Sequence, residues 1–252
     1  MRIIARLCLG SLLLCAVLWL CWIKVNTKEK ADEQPRTLPQ ILTLPGYSRL
    51  PDGQPLSRNP CKSCAVVSSS GQMLGSGLGP QIDQAECVLR MNTAPTLGYE
   101  ADVGSRSSLR VVSHTSVPLL LRNQTYFFQQ SQDTVYVIWG PLRQMDIDSG
   151  ITYRVLQHTK GMYPQVQIYT LTQSMMAHCD LVFQNETGKN RNRFNPPVPY
   201  HYYEKGRLDE CTMYMMHERA SRGAHRFITE KAVFARWAHR KQIHFAHPSW
   251  GA

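Results

Sequence analysis

The fold of this chain is decided by Cys64–Thr115, whose sequence is CAVVSSSGQMLGSGLGPQIDQAECVLRMNTAPTLGYEADVGSRSSLRVVSHT. A short apolar run opens the stretch, small hydroxyl residues and glycines follow, and a second apolar segment covers Val88–Met91. This order predicts a strand, a glycine-rich loop, a short helix and a second strand. Glycines after a strand let backbone N–H groups approach a phosphate closely. The loop fits neither the dinucleotide nor the Walker spacing, so the pattern by itself favours a surface loop over a nucleotide cradle.

Three further runs rich in Val, Ile and aromatic residues predict more strands: Ser108–Ser113, Thr134–Trp139 and Val166–Leu171. About twenty to thirty residues separate them, which is long enough for crossover helices such as the one predicted over Thr152–Lys160. The sequence therefore predicts an α/β fold with a layered sheet. A β-sandwich would have turn signals closer together.

The amino terminus has the pattern of a membrane anchor. Residues 7–23 contain no charged side chain, and basic residues flank them on both sides. A helix of that length is about 25 Å long, which suits the thinner membranes of the early secretory pathway. The run ends in large residues, Trp19 to Ile23, whereas a cleaved signal peptide usually ends in small ones. We therefore expect a signal anchor whose larger, carboxyl-terminal part lies in the lumen.

These patterns divide the chain into four parts. We predict a cytosolic tail at 1–6, a transmembrane helix at 7–23, a polar stem with spaced prolines at 24–60, and a folded luminal domain at 61–252. Lys and Arg total 28 against 18 Asp and Glu, a formal net charge of +10. An excess of that size indicates nucleic acid, an anionic membrane or an acidic small molecule as partner.

Five cysteines lie beyond the predicted anchor, and all are candidates for disulfide bonds: Cys61, Cys64, Cys87, Cys179 and Cys211. The C-x-x-C spacing of the first two also occurs in zinc sites, but zinc normally needs a second ligand pair at matching spacing, and the sequence has none. Because five is odd, at least one has no partner within the chain. Two sequons, at Asn123 and Asn185, predict glycosylation if the domain is luminal.

Two histidine groups stand in the basic carboxyl-terminal third. The first is Tyr200-His201-Tyr202-Tyr203-Glu204, and the second runs from His225 to Glu230. A single histidine is more often a structural residue than a catalyst. Histidine is nevertheless the ordinary side chain that accepts a proton near neutral pH, as a base must in a transfer to a hydroxyl group.

Three segments together resemble the animal sialyltransferases. The run CAVVSSSG, followed by IDQAECVLRMNTAPTLGYEADVG, resembles their large sialylmotif, which holds the CMP part of CMP-sialic acid. His201-Tyr202-Tyr203-Glu204 is similar to the family's third motif, and His225 with Glu230 to its very small motif. The chain most resembles the subfamily that adds sialic acid in α2,6 linkage to N-acetylgalactosamine (GalNAc).

This resemblance implies a fold, a reaction and a site. It implies one luminal catalytic domain with a mostly parallel, Rossmann-like sheet, a variant of the GT-A type. The implied reaction moves sialic acid from CMP-sialic acid to the 6-hydroxyl of GalNAc with inversion and without a metal or another cofactor. By this similarity His225 is the general base and His201 neutralises the departing phosphate, while the donor is held by Ser69, Ser70, Gly71, Asn92, His201, Tyr202, Glu204 and Glu230. Ser69 stands where the family has Asn.

The resemblance also implies partners and a location. Arg110–Asn123 is similar to members that prefer already sialylated galactosyl-GalNAc acceptors, on glycoproteins or gangliosides. The expected location is the Golgi membrane, with a single-pass type II orientation. Nucleic acid is not an expected partner.

One motif of the family is absent from the sequence. A small sialylmotif, with a cysteine that pairs with the one matching Cys64, is expected near residues 190–197, and the chain passes that point without it. A skipped exon, an incomplete gene model and a real loss of activity are all compatible with this gap. The alternative function is thus a non-catalytic, membrane-anchored Golgi protein that binds a nucleotide or glycan, or associates with an intact enzyme.

Overall fold

One seven-stranded sheet organises the computed structural model, which describes residues 41–186, 200–204, 209–219, 227–239 and 243–246. The strands, numbered in chain order, are β1 Leu42–Arg49, β2 Pro55–Arg58, β3 Cys64–Val66, β4 Cys87–Met91, β5 Leu109–Ser113, β6 Val135–Trp139 and β7 Gln167–Leu171. Their order across the sheet is β2-β1-β7-β6-β5-β4-β3. Strands β3 to β7 are parallel neighbours, whereas β1 pairs antiparallel with both β2 and β7.

Five helices lie between the parallel strands: α1 Gly79–Gln84, α2 Glu100–Val103, α3 Val117–Arg122, α4 Leu142–Met145 and α5 Ile151–Met162. Three more follow β7 in the part of the chain that the structure describes: α6 Gln173–Glu186, α7 Glu210–Arg219 and α8 Phe227–His239. Helix α5 shows why such a segment folds onto the sheet. Its buried residues, Thr152, Tyr153, Leu156 and Thr159, recur at the spacing of one helical face.

The hydrophobic core lies on and between these layers. Strand β6, with the sequence VYVIW, is buried along four of its five residues, as expected for a parallel strand that is covered on both faces. Its Tyr136 and Ile138 belong to a cluster that also includes Val112, Leu156 and Ile168. A second cluster lies beside β3 and β4, and contains Val67, Val88, Ala94, Val103 and Tyr202. This second cluster joins a residue of the first histidine group to the start of the domain.

The predicted α/β fold with a mostly parallel sheet is confirmed, and all five predicted strands are present within one or two residues. The stem boundary needs correction, because β1 and β2 lie inside residues 24–60. Leu44 and Leu56 face each other across this hairpin, and Tyr47 pairs with Leu171 of β7, so this part of the predicted stem is an edge of the sheet. The predicted tail and anchor lie outside the described residues. Among the helices that the structure describes, none is long and apolar enough to cross a membrane.

Candidate functional site

The predicted donor-binding residues of the first motif lie together at one edge of the sheet. Ser69, Ser70 and Gly71 follow β3, and Asn92 follows β4. These strands are parallel neighbours, with Val66 paired to Leu89, so their carboxyl ends meet at the same edge. In open α/β sheets, ligands bind beyond the carboxyl ends of the strands. The site therefore occupies the position that the fold favours for a ligand.

Hydrogen bonds shape the turn after β3. The Ser70 hydroxyl accepts a hydrogen bond from the Gln72 N–H at 3.1 Å and caps the short helical turn Gly71–Met73. The Ser70 N–H in turn donates to the Ser68 hydroxyl at 3.1 Å. Small hydroxyl side chains thus satisfy the backbone of the turn, which keeps it tight without a bulky side chain at the site.

Asn92 has a left-handed backbone, with φ of 45°. Its N–H donates to the Val111 carbonyl at 2.8 Å, and its side-chain oxygen accepts from the Ser113 N–H at 2.9 Å. Asparagine tolerates this conformation better than most residues do. Because the side-chain oxygen is engaged by β5, the amide NH₂ is the group that Asn92 can offer to a ligand.

Two buried arginines lie beneath this edge. Arg90 and Arg110 are paired across β4 and β5, and each is at most 2% exposed. The Arg110 Nη1 donates to the carbonyls of Asn92 at 2.8 Å and Ala94 at 3.0 Å, and its guanidinium lies over the Phe127 ring. Burial lowers the pKa of both arginines from the ordinary value, but an arginine remains charged at any physiological pH. Arg110 therefore holds a positive charge close to the predicted donor site, whereas the Arg90 Nη2 donates to the Arg106 carbonyl at 2.7 Å, before β5.

The first histidine group docks onto both loops. His201 forms a β-bridge with Ser70, and the Tyr202 N–H donates to the Ser69 carbonyl at 3.1 Å. Tyr202 is 1% exposed, and its hydroxyl donates to the Pro95 carbonyl beyond β4. Burial is the main cause that raises the pKa of Tyr202, which therefore keeps its donor proton. Tyr202 thus anchors the group to the loops that follow β3 and β4.

His201 is oriented by a carboxylate. Its Nδ1 lies 2.9 Å from the Glu204 Oε2, and the two side chains are 24% and 25% exposed. Because Glu204 engages Nδ1, Nε2 is the ring nitrogen that His201 can offer to a ligand. The Tyr203 ring stacks on the imidazole at 5.1 Å with an interplanar angle of 5°, which fixes the ring plane.

Glu230 of the second histidine group lies near the first. Burial, followed by the charges of Glu230 and Glu204, raises the pKa of Tyr200 to about 12. An effect of that kind needs proximity, so the structure brings both predicted carboxylates to the same neighbourhood. His225, the predicted general base, lies outside the described residues.

Two glycines of the glycine-rich loop bind a carboxylate of the chain itself. The N–H groups of Gly75 and Gly77 each donate to the Asp102 carboxylate at 2.9 Å. The bond from Gly77, followed by that from Gly75, holds the pKa of Asp102 below its usual value. This part of the loop therefore binds a carboxylate of its own chain, in keeping with the surface loop that the pattern by itself favours.

Sequence reasoning missed Glu210 at the start of α7. Glu210 is 4% exposed and accepts hydrogen bonds from the Gln72 Nε2 at 3.0 Å and from the Tyr214 hydroxyl. It connects α7 to the turn after Ser70, across a sequence separation of 138 residues. No local pattern identifies such a contact, because nothing near Glu210 in the sequence refers to Gln72.

The cysteines and sequons have separate positions. Cys61 and Cys87 form a disulfide, whereas Cys64 and Cys179 are exposed free thiols. The side chain of Cys211 lies outside the described residues, as does that of Asn185 within α6. Asn123 is exposed just after α3, where a glycan has access to it.

The sequence of this chain is similar to that of known proteins. The family model described as glycosyltransferase family 29 (sialyltransferase) matches residues 16–149. This chain belongs to glycosyltransferase family 29. A human relative named alpha-N-acetyl-neuraminyl-2,3-beta-galactosyl-1,3-N-acetyl-galactosaminide alpha-2,6-sialyltransferase is 57% identical, over 85% of this chain and 83% of its own length. The predicted assignment to the sialyltransferases is confirmed.

A second named relative agrees with this assignment. Mouse alpha-N-acetylgalactosaminide alpha-2,6-sialyltransferase 3 is 46% identical, over 88% of this chain and 85% of its own length. A crystal structure of a mammalian sialyltransferase aligns with a TM-score of 0.45 and 24% identity, over 71% of this chain and 66% of the other.

The alignments with these two relatives contain more positions than this chain contributes residues. The human alignment spans 251 positions, whereas 85% of 252 residues is about 214, so about 37 positions face no residue of this chain. For the mouse relative, 261 positions against 88% of the chain leave about 39. Internal residues that these relatives possess are therefore absent here.

Proposed function

We propose that this chain transfers sialic acid from CMP-sialic acid to the 6-hydroxyl of GalNAc in an acceptor that already carries sialic acid. The acceptor hydroxyl attacks the anomeric carbon as CMP departs, so the configuration inverts. His225 removes the hydroxyl proton and His201 neutralises the charge that develops on the departing phosphate. The names of the 57% and 46% identical relatives, both α2,6-sialyltransferases of GalNAc-containing substrates, support the linkage and the acceptor class.

The observation that carries the proposal is the position of the His201–Glu204 pair. It lies beside Ser69 and Ser70, at the carboxyl ends of the parallel strands, and Glu204 leaves Nε2 of the imidazole for the ligand. A phosphate that gains negative charge as its bond to sugar breaks is stabilised by a preorganised imidazolium. The pair thus has the orientation that a leaving-group contact needs.

One buried arginine supports an anionic donor. Arg110 is 2% exposed, and no ion pair to a carboxylate is found for it in the part of the chain that the structure describes. A buried charge without a paired carboxylate favours a negative ligand nearby. Arg110 contacts the carbonyl of Asn92, so this field acts at the place where the donor is proposed to bind.

The proposal includes location, fold type and partners. A Golgi membrane protein with type II orientation agrees with the uncharged segment 7–23 and with the exposed sequon at Asn123. The Cys61–Cys87 disulfide agrees with an oxidising lumen. We assign the sheet to a variant of the GT-A type, and glycoprotein and ganglioside acceptors to the same chemistry. No metal or other cofactor takes part.

Transfer of sialic acid by the purified luminal part, residues 25–252, tests the proposal. With CMP-sialic acid and a sialylated galactosyl-GalNAc acceptor, we expect a product whose new linkage mass spectrometry places at the 6-hydroxyl. His225→Ala and His201→Gln are each expected to lower kcat by about a hundredfold or more, the scale of general acid–base and electrostatic contributions. His158→Gln, an exposed histidine on α5, is the matched control and keeps full activity.

A second candidate function is non-catalytic binding, and the shortfall of about 37 aligned positions favours it. Isothermal titration with CMP separates the two. Binding of CMP that His201→Gln weakens, without any transfer by the wild-type chain, establishes a binding protein and rejects the enzyme. Transfer at an unchanged rate by His201→Gln rejects the assigned role of that histidine.

A further inference from the structure

Three cysteines converge at the amino ends of β3 and β4, the sheet edge opposite the candidate site. Cys61 and Cys87 form the disulfide, with their Cα atoms 6.0 Å apart. Cys64 is an exposed free thiol. The Sγ atoms of all three lie within 4.8 Å of one another. A free thiol is therefore in contact range of an existing disulfide.

The sheet register places a second cysteine, Cys64, beside Cys87. Cys64 of β3 is paired directly with Cys87 of β4, and the Cys87 N–H donates to the Ser63 carbonyl at 3.0 Å, which holds the two strands in this register. Neighbouring strands lie about 4.8 Å apart, and disulfides join Cα atoms that are about 4.4–6.8 Å apart. A bond between Cys64 and Cys87 therefore requires no change of the sheet, only rotation of side chains.

A cation faces the two bonded sulfurs. The Arg58 Nη2 lies 2.8 Å from the Cys87 Sγ and 3.3 Å from the Cys61 Sγ. A disulfide sulfur is a weak acceptor, whereas a thiolate is stabilised strongly by an adjacent guanidinium, which does not lose its proton. Arg58 and Cys87 also line a cavity of about 670 Å³, so the Cys87 side chain has open space beside it.

We propose that Cys61, Cys64 and Cys87 form a disulfide-exchange site. The Cys64 thiolate attacks the Cys87 Sγ, the Cys64–Cys87 bond forms, and the Cys61–Cys87 bond breaks. The electron pair of the broken bond goes to the Cys61 Sγ, which faces Arg58 and takes up the proton that Cys64 released to solvent. One disulfide and one thiol are present before and after, so the step needs no oxidant or reductant.

Exchange changes which segment the disulfide joins to β4. In the structure described here, the bond ties the segment before β3 to β4. After exchange it ties β3 itself to β4 and releases Cys61. Strand β3 leads directly to Ser69 and Ser70. Exchange therefore changes how tightly the strand before these two residues is held. The inference rests on the cysteine cluster alone and stands whether or not the chain transfers sialic acid.

Peptide mapping under non-reducing conditions tests the exchange. The full chain is incubated near pH 8, quenched with acid, alkylated with N-ethylmaleimide and digested with trypsin, which cuts after Arg58, Lys62 and Arg90. The Cys61–Cys87 form gives peptide 59–62 linked to peptide 63–90. The exchanged form gives peptide 63–90 as an internal loop, lighter by two hydrogens, and alkylated peptide 59–62. A second cut after Glu86 shows which cysteine of peptide 63–90 is bonded.

We expect both forms in the wild-type chain. Cys61→Ser is expected to contain the Cys64–Cys87 bond, Cys64→Ser only the Cys61–Cys87 bond, and Cys179→Ser, which changes the other exposed free thiol, both forms as in the wild type. The inference is overturned if Cys64 of the wild type is fully alkylated after every incubation time. It is also overturned if Cys64 is bonded only to a second chain, which appears as a disulfide-linked dimer. The wild-type time course needs no variant to fold.

Discussion

At the scale of single residues, the site depends on groups that hold other groups in place. Arg110 is the clearest case, since one of its nitrogens donates to the carbonyls of both Asn92 and Ala94. Asn92 itself has a left-handed backbone, with φ of 45°. We regard Arg110 as a positioning residue for the proposed donor contact of Asn92.

Arg110→Met is therefore expected to weaken both folding and donor binding. It leaves two carbonyls without their partner, and we expect the free energy of unfolding to fall by about 3 kcal/mol. Chemical denaturation measures this loss, and titration with CMP is expected to show affinity lowered by about tenfold, or about 1.4 kcal/mol. Arg110→Lys keeps the charge and one hydrogen bond, so we expect its stability and its CMP affinity to lie between those of the wild type and Arg110→Met. Wild-type CMP affinity in a folded Arg110→Met chain contradicts the positioning role.

Tyr200 provides a test that depends on pH. Burial and the nearby carboxylates raise its pKa to about 12 from an ordinary value of 10.0. The folded state thus holds the phenol proton more tightly than the unfolded state does. The resulting stability is fully present below pH 10 and is lost as pH rises from 10 towards 12. Denaturation at several alkaline pH values is expected to show this decline in the wild type and a smaller one in Tyr200→Phe. An equal decline in both chains refutes the assignment.

At the scale of elements, the close approach of α1 to α2 depends on a glycine. A Cβ at Gly79 would lie 1.9 Å from the Glu100 carbonyl oxygen and 2.7 Å from that of Ala101. These are backbone atoms, so the helices would have to separate. The same two helices flank the loop that Asp102 holds through Gly75 and Gly77. Helix contact and loop geometry are therefore coupled.

Two glycine-to-alanine changes make a matched pair. Gly79→Ala is expected to lower the free energy of unfolding by about 2–3 kcal/mol, because overpacking forces backbone movement. Gly161→Ala in α5 adds a Cβ with no atom within 4 Å, so we expect it to raise stability by up to about 1 kcal/mol through better helix propensity. Thermal melts of both variants measure the difference. Similar melting temperatures for the two would show that the α1–α2 contact can relax.

At the scale of the whole molecule, charge and missing sequence matter most. The formal net charge is +10, and the proposed donor is an anion. Val66 on the edge strand β3 is 66% exposed. The relatives contain about 37 to 39 aligned positions that this chain lacks.

The charge predicts a salt dependence. Raising ionic strength from about 0.05 M to about 0.5 M shortens the screening length well below 10 Å. We expect the KM for CMP-sialic acid to rise several-fold, while kcat changes less because the charges of Arg90 and Arg110 are buried and poorly screened. Initial-rate kinetics at both salt concentrations measure the two constants. A KM that does not change would show that the net charge has no part in donor capture.

The sequence by itself determined the local elements and the family. Strands β3 to β7 and helix α5 follow from apolar periodicity, because that signal lies within each segment. The motifs around Ser69, Asn92 and His201 identify the family and predict one site. The strands β1 and β2 were hidden among the prolines of the predicted stem, since only pairing with β7 makes that segment part of the sheet.

Only the tertiary structure decided how those pieces meet. Tyr202 bonds to Pro95 across 107 residues, Gln72 to Glu210 across 138, and Cys87 to Cys61 rather than to Cys64. Each choice depends on which atoms the folded chain brings within bonding distance, and sequence spacing does not contain that information. The sequence thus predicted the residues of the candidate site, and the packing of loops at the ends of parallel strands decided the partners of those that the structure describes.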